Sequence, residues 1–109
     1  MIEEEDKLLR IFINEKDMYK HQPLFEVIIH KARELGIAGA TVFKGIMGYG
    51  ADKRMKTNSI LELSSDMPLV IEIADKPEMI EKLLPFLEES VAEGFVTLES
   101  VHVYKFRKR

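Results

Sequence analysis

The chain has 109 residues, 46% hydrophobic and 32% charged, which is enough apolar material for one core and too little for two, so a single domain spanning residues 1–109 is predicted. It has no cysteine, which removes disulfides, thiolate nucleophiles and cysteine-ligated metal centres. The net charge is −3 and no run approaches about 18 uncharged apolar residues, which argues against a disordered chain and a membrane-embedded one.

The opening Glu3-Glu4-Glu5-Asp6 is the reverse of a secretory signal and predicts a cytoplasmic location. Together with the basic end Lys105, Arg107, Lys108 and Arg109 it reads as a pair of solvated tails. Residues 8–14 alternate, with Leu9, Ile11 and Ile13 on one face, as a half-buried strand does. From Pro23 the period becomes helical through Phe25, Ile28, Ile29, Ala32 and Leu35, and Gly36 suits the C-terminal cap. Residues 40–44 and 68–75 read as strands, the second with Leu69, Ile71 and Ile73 on one face. Residues 59–64 fit either a strand or the returning arm of the preceding loop.

A second helix is predicted from Pro77 to about Ala92 on the stripe Ile80, Leu83, Leu84, Leu87 and Val91, bent at Pro85. Residues 95–106 read as extended, with a bulge where the alternation slips at Glu99-Ser100. The order βαββαβ predicts an α+β, ferredoxin-like fold with an antiparallel sheet and both helices on one face. Such a sheet leaves Phe12, Val70 and Ala74 in need of cover on its other face, which predicts a homotrimer.

The stretch KGIMGYGADKRMKTNS, residues 44–59, places Gly45, Gly48 and Gly50 ahead of a cationic run. A phosphate-binding loop, a docking loop and a plain hairpin are all open to it on composition. It lacks the Gly-Lys-Ser/Thr ending of a nucleoside-triphosphate loop and the third glycine of the dinucleotide fingerprint. Asp52, Lys53, Arg54 and Lys56 leave its tip cationic, and Met55 is the large apolar residue of 51–58, which suits an exposed recognition element.

His21, His30 and His102 have no metal-ligand spacing, His30 falls opposite the apolar stripe of its helix, and no metal site is predicted. The serines form no nucleophile elbow, and the segment after the first strand offers Lys16 and Lys20 without the glycines of an acylphosphatase phosphate loop. No catalytic residue is assigned. LVIEIAD carries two acids and no stacking aromatic, so nucleic acid is not an expected partner.

The run Gly36-Ile37-Ala38-Gly39-Ala40-Thr41-Val42, followed one strand later by Gly48-Tyr49-Gly50, is similar to the corresponding segment of the PII nitrogen-signalling proteins. The whole chain resembles a prokaryotic PII-like family labelled as a domain of unknown function, on LRIFINEKD, PLFEVIIHKARELGIAGATVFKGIMGYG, LSSDMPLVIEIAD and EGFVTLESVHVY. The resemblance implies a signalling homotrimer with ligand clefts between subunits and a mobile loop, here 45–60, that docks on a membrane transporter or an enzyme.

It implies an adenine nucleotide as regulatory ligand, with Thr41, Lys44, Gly45, Gly48, Tyr49, Gly50, Gly94, Lys105 and Arg107 as ligand-binding positions. Asp52, Lys53, Arg54, Met55 and Lys56 are then the partner-docking loop. Around Gly94 the chain reads AEGFVT, without the Gly-Asp-Gly-Lys run of PII proteins. The alternatives are a trimeric assembly module without a ligand, its basic tail pairing with acidic N-termini across subunits, and a small phosphate- or acyl-ester hydrolase.

Overall fold

A computed structural model describes residues 1–57 and 66–107; the expected arm at 59–64, the end of the loop 45–60 and the basic positions Lys108 and Arg109 lie outside the described residues. The first strand, β1 (Ile2–Asn14), is followed by a two-residue hairpin, β2 (Met18–Tyr19) and β3 (Gln22–Pro23), and by α1 (Leu24–Glu34). Then come β4 (Thr41–Lys44), β5 (Met47–Gly48), β6 (Lys56–Thr57), β7 (Pro68–Asp75), α2 (Pro77–Ser90) and β8 (Phe95–Lys105). The main sheet has the order β4-β7-β1-β8 with every pairing antiparallel.

Strand alternation sorts residues between two faces. Leu9, Ile11 and Ile13 of β1 lie opposite Ile73, Ile71 and Leu69 of β7, and all six are buried. Leu24, Ile28 and Ala32 of α1 and Ile80, Leu83 and Leu87 of α2 close over them as one apolar cluster. Gly36, at φ +85, ends the first helical segment, where a residue with a Cβ would be strained. The expected α+β, ferredoxin-like arrangement is therefore present, with both helices on one face.

Two expectations change. The acidic residues 3–6 are not a solvated tail: β1 begins at Ile2, and Glu3, Glu4, Glu5 and Asp6 lie opposite Tyr104, Val103, His102 and Val101 of β8 in the same chain. Nor is there a bulge at Glu99-Ser100, since the β1–β8 register runs unbroken from Phe95 to Lys105. The alternation slips because the surroundings change along the strand. Pairing of β1 with β7 stops at Lys7–Asp75, and beyond it β1 and β8 continue as a two-stranded ribbon. Up to Ser100 the apolar positions of β8 on the helix side are Val96 and Leu98, whereas on the ribbon Val101 and Val103 lie on the opposite face.

Candidate functional site

The glycine loop starts where the chain passes close to the beginning of β7. Gly45 N–H donates to the carbonyl of Pro68 at 2.7 Å, and a Cβ on Gly45 would stand 2.8 Å from Pro68 Cγ. The loop then forms the β5–β6 hairpin, pairing Met47 with Thr57 and Gly48 with Lys56. At its tip Lys53 N–H donates to Gly50 O, Arg54 N–H donates to Asp52 Oδ1, and Lys53 adopts φ +62.

Asp52, Lys53, Arg54 and Met55 are exposed, and Ile46, Met47 and Tyr49 add an apolar surface that the sequence reading overlooked. Lys56 belongs to the base and not to the tip. Its ammonium is 3.1 Å from Asp66 Oδ2 and its side chain is 13% exposed. Burial pushes the Asp66 carboxyl up, but the Lys16 N–H and the Lys56 ammonium outweigh burial and hold it below the usual range.

Against this hairpin lies a cleft of about 510 Å³. Tyr49, Gly50, Ala51 and Lys56 line one side, Ala92, Glu93, Gly94 and Phe95 another, and residues 12–14 and 68–70 complete it. Gly94 is at φ +145, and a Cβ there would stand 2.5 Å from the Phe12 carbonyl oxygen. That close approach brings the second loop to the end of β1, where Phe95 stacks on Phe12 with centroids 4.5 Å apart and planes 12° from parallel. The cleft thus joins Tyr49 and Gly50 with Gly94 despite the missing Gly-Asp-Gly-Lys run, and Gly48 does not line it. Phe95 and Tyr49 are each 60% exposed, so aromatic surface there is open to a planar group.

The other predicted residues lie elsewhere. Thr41 is exposed opposite Glu72, and Lys44 is ion-paired to Glu15 at 3.0 Å. Lys105 is at the far end of β8 from Phe95, about 33 Å along the strand at 3.3 Å per residue. One chain therefore does not bring Lys105 to the cleft formed by its own Gly50 and Gly94. Lys105 Nζ is instead 3.2 Å from Glu4 Oε2, and Arg107 is exposed just past the strand. One contact between the basic end and the acidic start, Lys105 with Glu4, is thus made within the chain.

Asp6 is a further residue that sequence reading missed: it is 2% exposed, and neither oxygen has a hydrogen-bond partner among the described residues. Burial first, then the neighbouring Glu4, raises its carboxyl above the ordinary value, whereas proximity to Asp6 and then to the Lys105 ammonium lowers that of Glu4.

The helix-free face of the sheet carries Phe12, Phe43, Val70, Ala74 and Phe95, so the aromatic rings absent from β7 are supplied by the other strands. Arg10 sits among them with Nε 2.9 Å from Glu72 Oε2 and Nη1 2.5 Å from Glu99 Oε1. Glu72 and then Glu99 raise its pKa. Arg10 is thus neutralised, with one carboxylate charge left over, beside exposed apolar surface.

A family model described as "Uncharacterized ACR", DUF190, matches residues 6–103. A UPF0166 protein of Aquifex aeolicus is 40% identical over 99 residues, 89% of this chain and 91% of the relative. A UPF0166 protein of Methanocaldococcus jannaschii is 36% identical over 100 residues, 91% and 92% of the two chains. Among solved structures, the nitrogen regulatory PII-like protein CPII of Thiomonas intermedia K12, bound to ADP, AMP and bicarbonate, superimposes with a TM-score of 0.68. Its sequence identity is 21%, with 94% of this chain and 91% of that one covered. A putative PII-like signaling protein of Thermus thermophilus superimposes at 0.62 with 18% identity, covering 94% and 91%. These likenesses establish a PII-like fold.

Proposed function

Since the chain belongs to the DUF190 family, we propose that it is a PII-like regulatory homotrimer of the cytoplasm that senses a small anionic ligand, with an adenine nucleotide as the first candidate, in clefts between its copies. The observation that carries this reading is the convergence of the glycine hairpin and the Gly94 loop on one aromatic-lined cleft. Stacking on Tyr49 or Phe95 suits a purine ring, and the glycines leave backbone N–H groups approachable by phosphate oxygens. The cleft's own Lys56 is already paired with Asp66, so further positive charge has to come from outside it. Lys105 and Arg107 of a neighbouring copy are the source assigned here. That CPII was solved with ADP and AMP supports trying these nucleotides first.

No catalytic step is assigned to the site. Ligand binding regulates by favouring one arrangement of the hairpin over another, which requires different affinities for the two. The exposed hairpin, with Lys53, Arg54 and Met55 toward its tip and Ile46 and Met47 exposed nearer its base, is the surface offered to a target transporter or enzyme. An apolar surface rimmed by cations suits a partner groove with acidic edges.

Trimerisation is read from the helix-free face, whose apolar side chains surround an internally neutralised Arg10. Light scattering is expected to give three times the 12.6 kDa chain mass. Val70→Asp, which places an unpaired charge on that face, should lower the mass toward one chain. A wild-type monomer at micromolar concentration would end the trimer reading. ADP at 100 times its dissociation constant should stabilise the native state by about 2.7 kcal/mol in a thermal shift. A trimer that neither ADP nor AMP stabilises would favour the assembly module, which the departure from the PII pattern around Gly94 also favours.

A further inference from the structure

The ribbon that β1 and β8 form beyond β7 carries Glu4 and Asp6 on the same face as Val101, Val103 and Lys105. Lys105 lies diagonally across from Glu4 at 3.2 Å, with 28% and 18% of the two side chains exposed. Asp6 is almost wholly buried two residues further along, and both its oxygens lack partners. A cation that the reading above assigns to a ligand is therefore already engaged by its own chain.

We propose that Glu4 and Asp6 are a built-in counter-anion for Lys105, in competition with the ligand's anionic group for the same ammonium, so that anion binding displaces them and takes up a proton. The inference rests on the assignment of Lys105 to the ligand, and it makes Glu4 the residue that sets affinity.

The charge arrangement leads to this result. The groups acting on the pair are Lys105 from β8, Asp75 at the end of β7, and Lys76 just before α2. Two neighbouring carboxylates, of which only Glu4 contacts the ammonium, leave an excess negative charge in a largely buried place, which protonation relieves. Burial shifts Asp6 toward holding a proton, and a proton there would turn an oxygen without a partner among the described residues into a donor toward Glu4. Glu4 is held toward its charged form by a protonated Asp6 beside it and by the Lys105 ammonium 3.2 Å away.

When Lys105 turns to a phosphate oxygen, Glu4 loses that partner and binds protons more readily. By linkage, lowering the pH then favours ligand binding until the ligand's own phosphate protonates.

The test is isothermal titration of ADP into wild type and Glu4→Gln, each in two buffers of different ionisation enthalpy. Wild type should take up protons on binding. Glu4→Gln should bind roughly tenfold more tightly, consistent with removal of one competing charge–charge contact, and its proton uptake should fall. Equal affinity in the two proteins with no proton exchange would overturn the proposal while leaving the nucleotide site standing.

If ADP binds neither protein, the functional reading fails, and a ligand-free measurement decides the inference by itself. Carboxyl NMR titration of Lys105→Gln should show the Glu4 midpoint above its wild-type position. An unchanged midpoint would show that Lys105 is no partner of the pair and would overturn the proposal.

Discussion

Replacing Gly94 by alanine is expected to destabilise the protein by about 3 kcal/mol, the upper range for a backbone forced into a conformation its side chain opposes. Two costs act together. The residue is at φ +145, where L side chains rarely sit, and the new methyl would stand 2.5 Å from the Phe12 carbonyl oxygen. That oxygen belongs to the β1 backbone, so it cannot turn aside as a flexible side chain would. Either the loop leaves β1 and the Phe12–Phe95 stack loosens, or the strand end shifts. A thermal midpoint lowered by at least about 10 °C should result, at roughly 4 °C per kcal/mol for a domain of this size. Gly39→Ala is the control, because nothing lies within 4 Å of a Cβ there. Its effect should stay within about 0.5 kcal/mol. Equal midpoints for the two variants would show that Gly94 does not hold the cleft together.

The second large effect concerns ligand binding. Lys105→Gln combined with Arg107→Gln removes two positive charges while keeping much of the side-chain length. Charge-assisted hydrogen bonds contribute about 1.5–3 kcal/mol each, so ADP affinity should fall at least about a hundredfold. Folding should survive, because Arg107 is exposed and the Lys105–Glu4 pair is partly open to solvent. A somewhat lowered thermal midpoint with unchanged mass without ligand, together with lost ADP binding, is the expected pattern, because Lys105→Gln leaves Glu4 and Asp6 without their counter-cation. Unaltered ADP binding would remove both residues from the site.

How far these features were legible follows from the range of the interactions that create them. Leu9, Ile11 and Ile13 and the stripe Ile80, Leu83 and Leu87 declare themselves by period alone, because a strand and a helix each repeat a buried face at fixed spacing. The helix-free face was legible for the same reason at Phe12 and Val70.

The ribbon was not. Four consecutive acids resemble a solvated tail until a partner strand is in register, and the burial of Asp6 depends on a pairing that spans almost the whole chain. The misplaced bulge at Glu99-Ser100 has the same origin, since local alternation cannot reveal where a neighbouring strand ends.

The site was half legible. Glycines mark where the backbone passes close to something, but the sequence does not say that Gly94 meets Phe12 or that Lys56 turns to Asp66. The resemblance to PII proteins placed Lys105 with Gly48 and Gly50, yet within one chain the length of β8 keeps them apart.

A site in which one copy supplies the cleft and another supplies the basic residues can be rebuilt by mixing two defective proteins. Tyr49→Ala with Gly50→Val should spoil the cleft, and Lys105→Gln with Arg107→Gln should spoil the basic end, so neither alone should bind ADP. Unfolding and refolding an equal mixture lets copies exchange at random in a ring where each cleft faces its neighbour's basic end. One interface in about four then joins an intact cleft to an intact basic end, and isothermal titration should recover ADP binding at about a quarter of the wild-type stoichiometry with wild-type affinity. If the mixture binds no ADP while wild type refolded in the same way does, the site is not shared between copies and the proposed arrangement is contradicted.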